Sequence, residues 1–162
     1  MKKAILIFML LTSIARSQEG LSLYIDPSMA ISGPYETSES GELDLLIKFS
    51  ATNTPIHEAG VCIEIFRAIR FYDFEFFYNR RLRYKKIEGL FGFGIGIITR
   101  NIKDGSGTYT SASLNNEARY YISDRVALCI LGNYRYRGDL HKIYNDDNPF
   151  RFSTFVGVNY NF

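Results

Sequence analysis

The chain has no tryptophan, two cysteines and two histidines in 162 residues. Two cysteines, Cys62 and Cys129, are too few to staple a small exported scaffold with disulfides. Long hydrophobic runs are missing as well. The one unbroken apolar stretch, residues 4–11, falls far short of the about 20 residues that a membrane-spanning helix needs. A chain of this kind can cross a bilayer only as a closed barrel, the other structure that satisfies its own backbone hydrogen bonds. Positive charge is scarce once the first residues are set aside. Lys2 and Lys3 precede the apolar stretch, and Ala15 and Ser17 occupy the −3 and −1 positions before Gln18, so residues 1–17 read as a cleavable export signal. No cysteine lies near that cleavage point, so no lipoprotein anchor is expected. The remainder holds 16 basic and 17 acidic residues, a formal charge of −1, and nucleic-acid binding loses its support. Residues 18–162 suit one domain.

What is present is aromatic and alternating. There are 13 Phe and 12 Tyr. At the C-terminus Phe150, Phe152, Thr154, Val156, Val158, Tyr160 and Phe162 occupy one parity, against Arg151, Ser153, Phe155, Gly157, Asn159 and Asn161. Period two with chemically different faces marks a strand. The same alternation predicts strands over residues 21–31, 42–51, 57–66, 71–84, 89–100, 109–122 and 126–137. Eight strands result. Odd-to-even links are mostly long and polar (32–41, 101–108, 138–149, with 67–70 short), whereas even-to-odd links are uniformly short. That is the arrangement of bacterial barrels with short periplasmic turns and longer outer loops. Three residues break the pattern. Arg80 and Asn116 fall on the apolar parity, and Pro27 interrupts the first strand; a bulge would carry Arg80 inward, or it snorkels to the interface.

Alternation alone leaves two orientations. A lipocalin-like soluble barrel would hide the apolar face inside. Strand length, Tyr72, Tyr84, Tyr120, Tyr136 and Tyr160 near the ends of the apolar face, and a chain that stops within its last strand favour the membrane. The expected fold is an all-β, eight-stranded antiparallel up-and-down transmembrane β-barrel. Its lumen then receives an ion-pair network of Asp44, Glu58, Glu64, Asp73, Glu75, Arg81, Arg83, Glu117, Arg119, Arg135, Arg137 and Arg151, with Asp26, Glu42, Lys48 and Arg100 on the same parity. Unpaired charge there would be costly. Gly92, Gly94 and Gly96 are expected to leave room for long Arg side chains opposite. Strands ~4.8 Å apart give a backbone diameter of roughly 16 Å, which excludes a general porin. Cys62 and Cys129 would face each other across it, beyond bridging distance, and are expected to be free thiols.

Catalytic signatures are weak. The run from Gly92 to Gly96 lacks the G-K-[ST] ending of a phosphate loop. Asp139, His141, Asp146 and Asp147 in the link 138–149 lack EF-hand spacing and read as a solvated surface loop. His57 falls at a short turn. No His-x-Ser pair of a lipid A deacylase occurs, and the chain is too short for a ten-stranded omptin-like protease. No catalytic, metal or cofactor residue is expected, and no enzymatic activity.

The ending Val156-Gly-Val-Asn-Tyr-Asn-Phe162 resembles the C-terminal assembly signal of outer-membrane barrels, carried by Val156, Val158, Tyr160 and Phe162. Residues 18–162 as a whole resemble small eight-stranded barrels of the OmpX, OmpA-barrel and OmpW type. The resemblance implies export through the general secretory route, periplasmic chaperones, insertion by the barrel-assembly machinery, and a monomer surrounded by outer-membrane lipid and lipopolysaccharide. It transfers no substrate. The expected role is structural or surface-interacting, the alternative a narrow channel for small or hydrophobic solutes, and the last a lipid A-modifying enzyme.

Overall fold

A computed structural model describes residues 18–32, 43–102 and 105–162; residues 1–17, expected to be an export signal, and Glu42 lie outside the described residues. Eight strands follow one another: β1 (Gln18–Ile25), β2 (Asp44–Thr54), β3 (His57–Phe66), β4 (Phe71–Tyr84), β5 (Ile87–Ile102), β6 (Gly105–Tyr121), β7 (Val126–Arg137) and β8 (Phe150–Asn161). Each pairs antiparallel with its neighbour in sequence, and β1 pairs with β8 from Gly20↔Asn161 to Ile25↔Val156, so the sheet closes. One irregularity of register, between Ala51 and Thr54, bends β2 where it turns into β3.

The strands separate two chemistries by parity. Along β4 the side chains of Asp73, Glu75, Phe77 and Asn79 are buried, while Tyr72, Phe74, Phe76 and Tyr78 face outward. Glu75 is 2% exposed and its neighbour Phe76 59%. A lipocalin-like barrel would have the reverse. Tyr72 and Tyr136 lie toward the end bearing the longer links; Tyr84, Tyr120 and Tyr160 lie toward the end bearing the short turns. The apolar outer band is thus bordered at both levels by hydroxylated rings, which suit a membrane–water boundary.

β3, β4 and β7 have the bounds that alternation predicts; β2, expected to end at Ala51, runs on through its irregularity to Thr54, and other regions differ for local reasons. β1 ends at Ile25, because Pro27 opens a short helix, α1 (Pro27–Ser32), instead of interrupting a strand. Proline is preorganised for a first helical position, and Asp26 Oδ1 accepts from the Ser28 N–H at 2.8 Å. Met29, expected on a strand face, packs on Phe66, Phe71 and Ile98 and helps close the long-link end of the lumen. β5 and β6 run on to Ile102 and Gly105, so the link expected over 101–108 is mostly paired hairpin. Its polar residues carry no apolar alternation to betray them. The link 138–149 holds a helix, α2 (Gly138–Tyr144), with Asp139 and Leu140 buried. Arg80 stays on the outer face, with unbroken register to both neighbours, so no bulge turns it inward.

The interior glycines also work differently from expectation. A Cβ at Gly94 would lie 2.1 Å from Glu75 Oε1, and one at Gly92 would lie 2.0 Å from the Tyr78 carbonyl oxygen. These glycines admit neighbours on the adjacent strand, not arginines across the lumen. Outward-facing Gly89 differs: an added Cβ meets nothing within 4 Å. Gly94→Leu is therefore expected to cost about 1–3 kcal/mol by overpacking, whereas Gly89→Leu should stay within about 0.5 kcal/mol of the parent. Urea unfolding of the refolded barrels measures both; equal effects would contradict this packing.

Candidate functional site

The lumen holds the chain's most concentrated chemistry. Toward the short-turn end, Glu117 on β6 accepts from Tyr24 Oη at 2.6 Å, from Lys48 Nζ at 2.5 Å and from Arg119 Nε. Glu58 on β3 receives Lys48 Nζ at 2.8 Å and both terminal nitrogens of Arg119 at 2.8 and 3.0 Å. Glu88 on β5 takes Arg81 through Nε and Nη2 at 3.0 and 2.6 Å, the Tyr121 hydroxyl at 3.0 Å and Arg119 at 3.4 Å. Three cations therefore meet three carboxylates. Lys48 also stands 4.4 Å above the Phe77 ring.

Toward the long-link end, Arg135 on β7 is the hub. Its Nη1 lies 2.6 Å from Glu64 and 3.3 Å from Asp73, and its Nε 4.0 Å from Glu75. Ser111 donates to Asp73 at 2.9 Å. Asp139, at the start of α2, receives Arg137 at 2.6 Å and Arg100 at 2.9 Å, while Arg137 also stacks on Phe71 at 4.2 Å. Apolar side chains lie between the two groups. Leu46, Cys62, Phe77 and Leu131 share a cavity of only about 10 Å³ with Lys48 and Glu75. Cys62 and Cys129 are buried free thiols.

Of the residues the sequence assigns to a lumen network, the structure brings together Glu58, Arg81, Glu117 and Arg119 in the first group, and Glu64, Asp73, Glu75, Arg135 and Arg137 in the second. Asp44 is buried at the long-link mouth, where it lines a cavity of about 60 Å³ with Glu64, Arg135 and Arg137; its Oδ1 has no hydrogen-bond partner among the described residues. Two assignments need correction. Arg83 is exposed despite its inward parity, because β4 runs past the last buried ion pair; it stacks on Tyr121 at 4.3 Å and donates to the Lys85 carbonyl. Arg151 is half-buried at the long-link rim, where it holds Asp146 at 2.5 Å and donates to the carbonyls of Asn148 and Phe150. It lines the same mouth cavity as Asp44 and Glu64, with its ion pair to Asp146 at the rim.

Sequence reading missed Glu88, Asp139 and the hydroxyls of Tyr24 and Tyr121. Glu88, the second residue after the turn at Lys85–Lys86, falls in the link between the strands that alternation predicts, although it shares parity with Gly92 and Gly94. Asp139 was assigned to a solvated loop, and no periodicity signals the α2 turn that buries it. His57 Nδ1 lies 2.6 Å from the Tyr78 hydroxyl, and His141 Nδ1 lies 3.3 Å from the Asp146 carbonyl. Val156, Val158, Tyr160 and Phe162 all project outward from the closing strand.

This arrangement is cohesive, since each ion was taken from water and depends on its partners. Removing one member leaves uncompensated buried charge. Glu117→Ala is expected to destabilise the barrel by about 3–5 kcal/mol, and Lys48→Met combined with Glu117→Leu to recover more than half of that. Urea unfolding again decides; a double variant no better than the single would contradict the pairing. The rim clamp gives a separate test. The Asn148 N–H, and then Arg151, hold the Asp146 carboxyl below the usual carboxylate range. Ordering of residues 145–149 is then complete above that range and lost as pH falls through the lowered value. The Asn148 amide resonance should titrate with a depressed midpoint, and Arg151→Gln should raise it; no movement would contradict the clamp.

No protein-family model and no curated protein matches the chain. Among solved structures it superposes on a barrel from "De novo design of transmembrane beta-barrels" with a TM-score of 0.54 and 12% identity, covering 90% of this chain and 95% of the other. It also aligns with Ail, the attachment invasion locus protein of Yersinia pestis, at a TM-score of 0.44 and 11% identity, covering 90% and 97% of the two chains. A second Ail structure, in complex with the heparin analogue sucrose octasulfate, gives the same TM-score at 13% identity. The likeness to the designed barrel is one of fold: this chain has the architecture of an eight-stranded transmembrane β-barrel.

Proposed function

We propose that the protein is a monomeric integral barrel of a Gram-negative outer membrane with a sealed lumen, whose work is structural or is done by the loops at its long-link end. The supporting observation is the inverted polarity: paired charges fill the interior while Phe, Ile, Leu and Tyr cover the outside. The two lumen cavities described above, about 60 and 10 Å³, hold a few waters at most. A filled eight-stranded interior favours a silent barrel over a channel, and no catalytic step forms part of this reading. Export by a cleaved leader, chaperone escort and insertion through the outward-facing set of Val156, Val158, Tyr160 and Phe162 complete it. The long-link end, with α2 and the Asp146 clamp, faces the cell exterior and meets lipopolysaccharide or a partner surface. The short turns face the periplasm.

Two measurements check this. Purified protein in planar bilayers should show no stepwise conductance; reproducible steps would favour the channel. On intact cells a membrane-impermeant maleimide should label a cysteine placed at Asp147 and spare one at Lys86. Labelling reversed between the two would overturn the orientation, and recovery in the soluble periplasmic fraction would overturn the membrane assignment.

A further inference from the structure

The outer face carries two polar residues in a single hydrogen-bonded row. Arg80 on β4, Phe91 on β5 and Asn116 on β6 are register partners, and all three are exposed on the apolar side. Neither Arg80 nor the Asn116 amide has a side-chain hydrogen bond, and Arg80 has no ion pair, among the described residues. An arginine on the lipid face is costly in mid-bilayer and tolerated near the boundary. Arg80 sits toward that boundary: it pairs with His57, the first residue of β3 after the short turn.

The surface beside it is hollow. Gly89 projects no side chain between Leu82 and Ala118, and a Cβ there would meet nothing within 4 Å. The groove measures about 460 Å³ and is lined by Arg80, Leu82, Gly89, Leu90, Phe91 and Asn116. A guanidinium presents paired N–H donors in the geometry of a phosphate. An amide two strands away, about 10 Å across the sheet, adds a donor for the glycerol ester oxygens. Leu82 and Phe91 offer apolar walls for an acyl chain.

We propose that this notch binds one anionic glycerophospholipid from the leaflet at the short-turn end, with Arg80 on the phosphate, Asn116 on the ester region and an acyl chain over Gly89. The inference rests on the membrane reading above and adds a specific lipid contact to it. Phosphatidylglycerol is the probe. The full chain is reconstituted in vesicles of equal parts phosphatidylethanolamine and phosphatidylglycerol, extracted gently, and its retained lipid is weighed by native mass spectrometry.

The parent should retain phosphatidylglycerol over phosphatidylethanolamine by about tenfold, as one charge-assisted contact allows. Arg80→Gln should bring the ratio close to one. Gly89→Leu should do the same with Arg80 in place, because leucine occupies the groove from a position where its Cβ meets nothing within 4 Å. Lys86→Gln, which removes an exposed cation from the same end, should leave the ratio unchanged. No enrichment in the parent overturns the site. Loss with Arg80→Gln but not with Gly89→Leu, or equal loss with Lys86→Gln, also overturns it by reducing the effect to general charge attraction. A barrel that never enters the vesicles overturns the membrane reading together with this one, whereas a barrel that enters without enrichment overturns this one alone.

Discussion

Hydrocarbon offers a backbone amide no water to bond, and the pairing of β1 with β8 answers that constraint. Six register pairs, from Gly20↔Asn161 to Ile25↔Val156, remove the two edges that an open eight-stranded sheet would expose. Once the sheet closes, period-two alternation assigns every strand residue to lipid or to lumen. The short turns follow from antiparallel order between neighbours, and left-handed Lys85 lets β4 turn into β5 in two residues.

Closure at eight strands also fixes how much room is left inside. A lumen of that width must be filled by side chains, and in a barrel whose outside is apolar the polar residues have nowhere else to go. Their charges are then held by mutual satisfaction: Glu58, Glu88 and Glu117 against Lys48, Arg81 and Arg119, and the acids about Arg135 farther along. Glycine enters where this filling is tightest. At Gly157 a Cβ would approach the Leu23 carbonyl oxygen to 2.1 Å and the Tyr24 ring to 2.7 Å, so the ring that reaches Glu117 lies over bare backbone. Sealing and cohesion thus come from the same contacts, which is the ground for the proposal of a silent barrel with its interactions at the ends.

Most of this was legible wherever two faces differ in polarity over many residues. β3, β4 and β7 could be read to the residue, since Val61, Phe76 or Ile130 alternates with Cys62, Phe77 or Cys129 over most of each strand, despite the outward Arg80 on β4. Legibility failed where the signal is local or absent. Pro27 broke the alternation but also began α1, and only the pairing of Asp26 with Ser28 distinguishes the two. The extension of β5 past Arg100 and of β6 before Tyr109 is Asn101, Ile102, Gly105, Ser106, Gly107 and Thr108, so period two vanishes although the pairing continues. Charge partners were harder still. Parity places a side chain inside but says nothing of its height, so it does not separate Arg83, exposed beyond the last buried ion pair, or Arg151, paired with Asp146 at the rim, from the buried groups. Asp139, which no strand carries, was missed although it holds two arginines.

The central claim is that the barrel is inverted, apolar outward in lipid and ion-paired within. Single cysteines carrying a fluorophore at consecutive β4 positions from Asp73 to Tyr78, in a Cys62→Ser, Cys129→Ser background and in vesicles with brominated acyl chains, test it most directly. The account predicts strong quenching at Phe74, Phe76 and Tyr78 and little at Asp73, Glu75 and Phe77. Quenching of the opposite parity, or of neither, would contradict it.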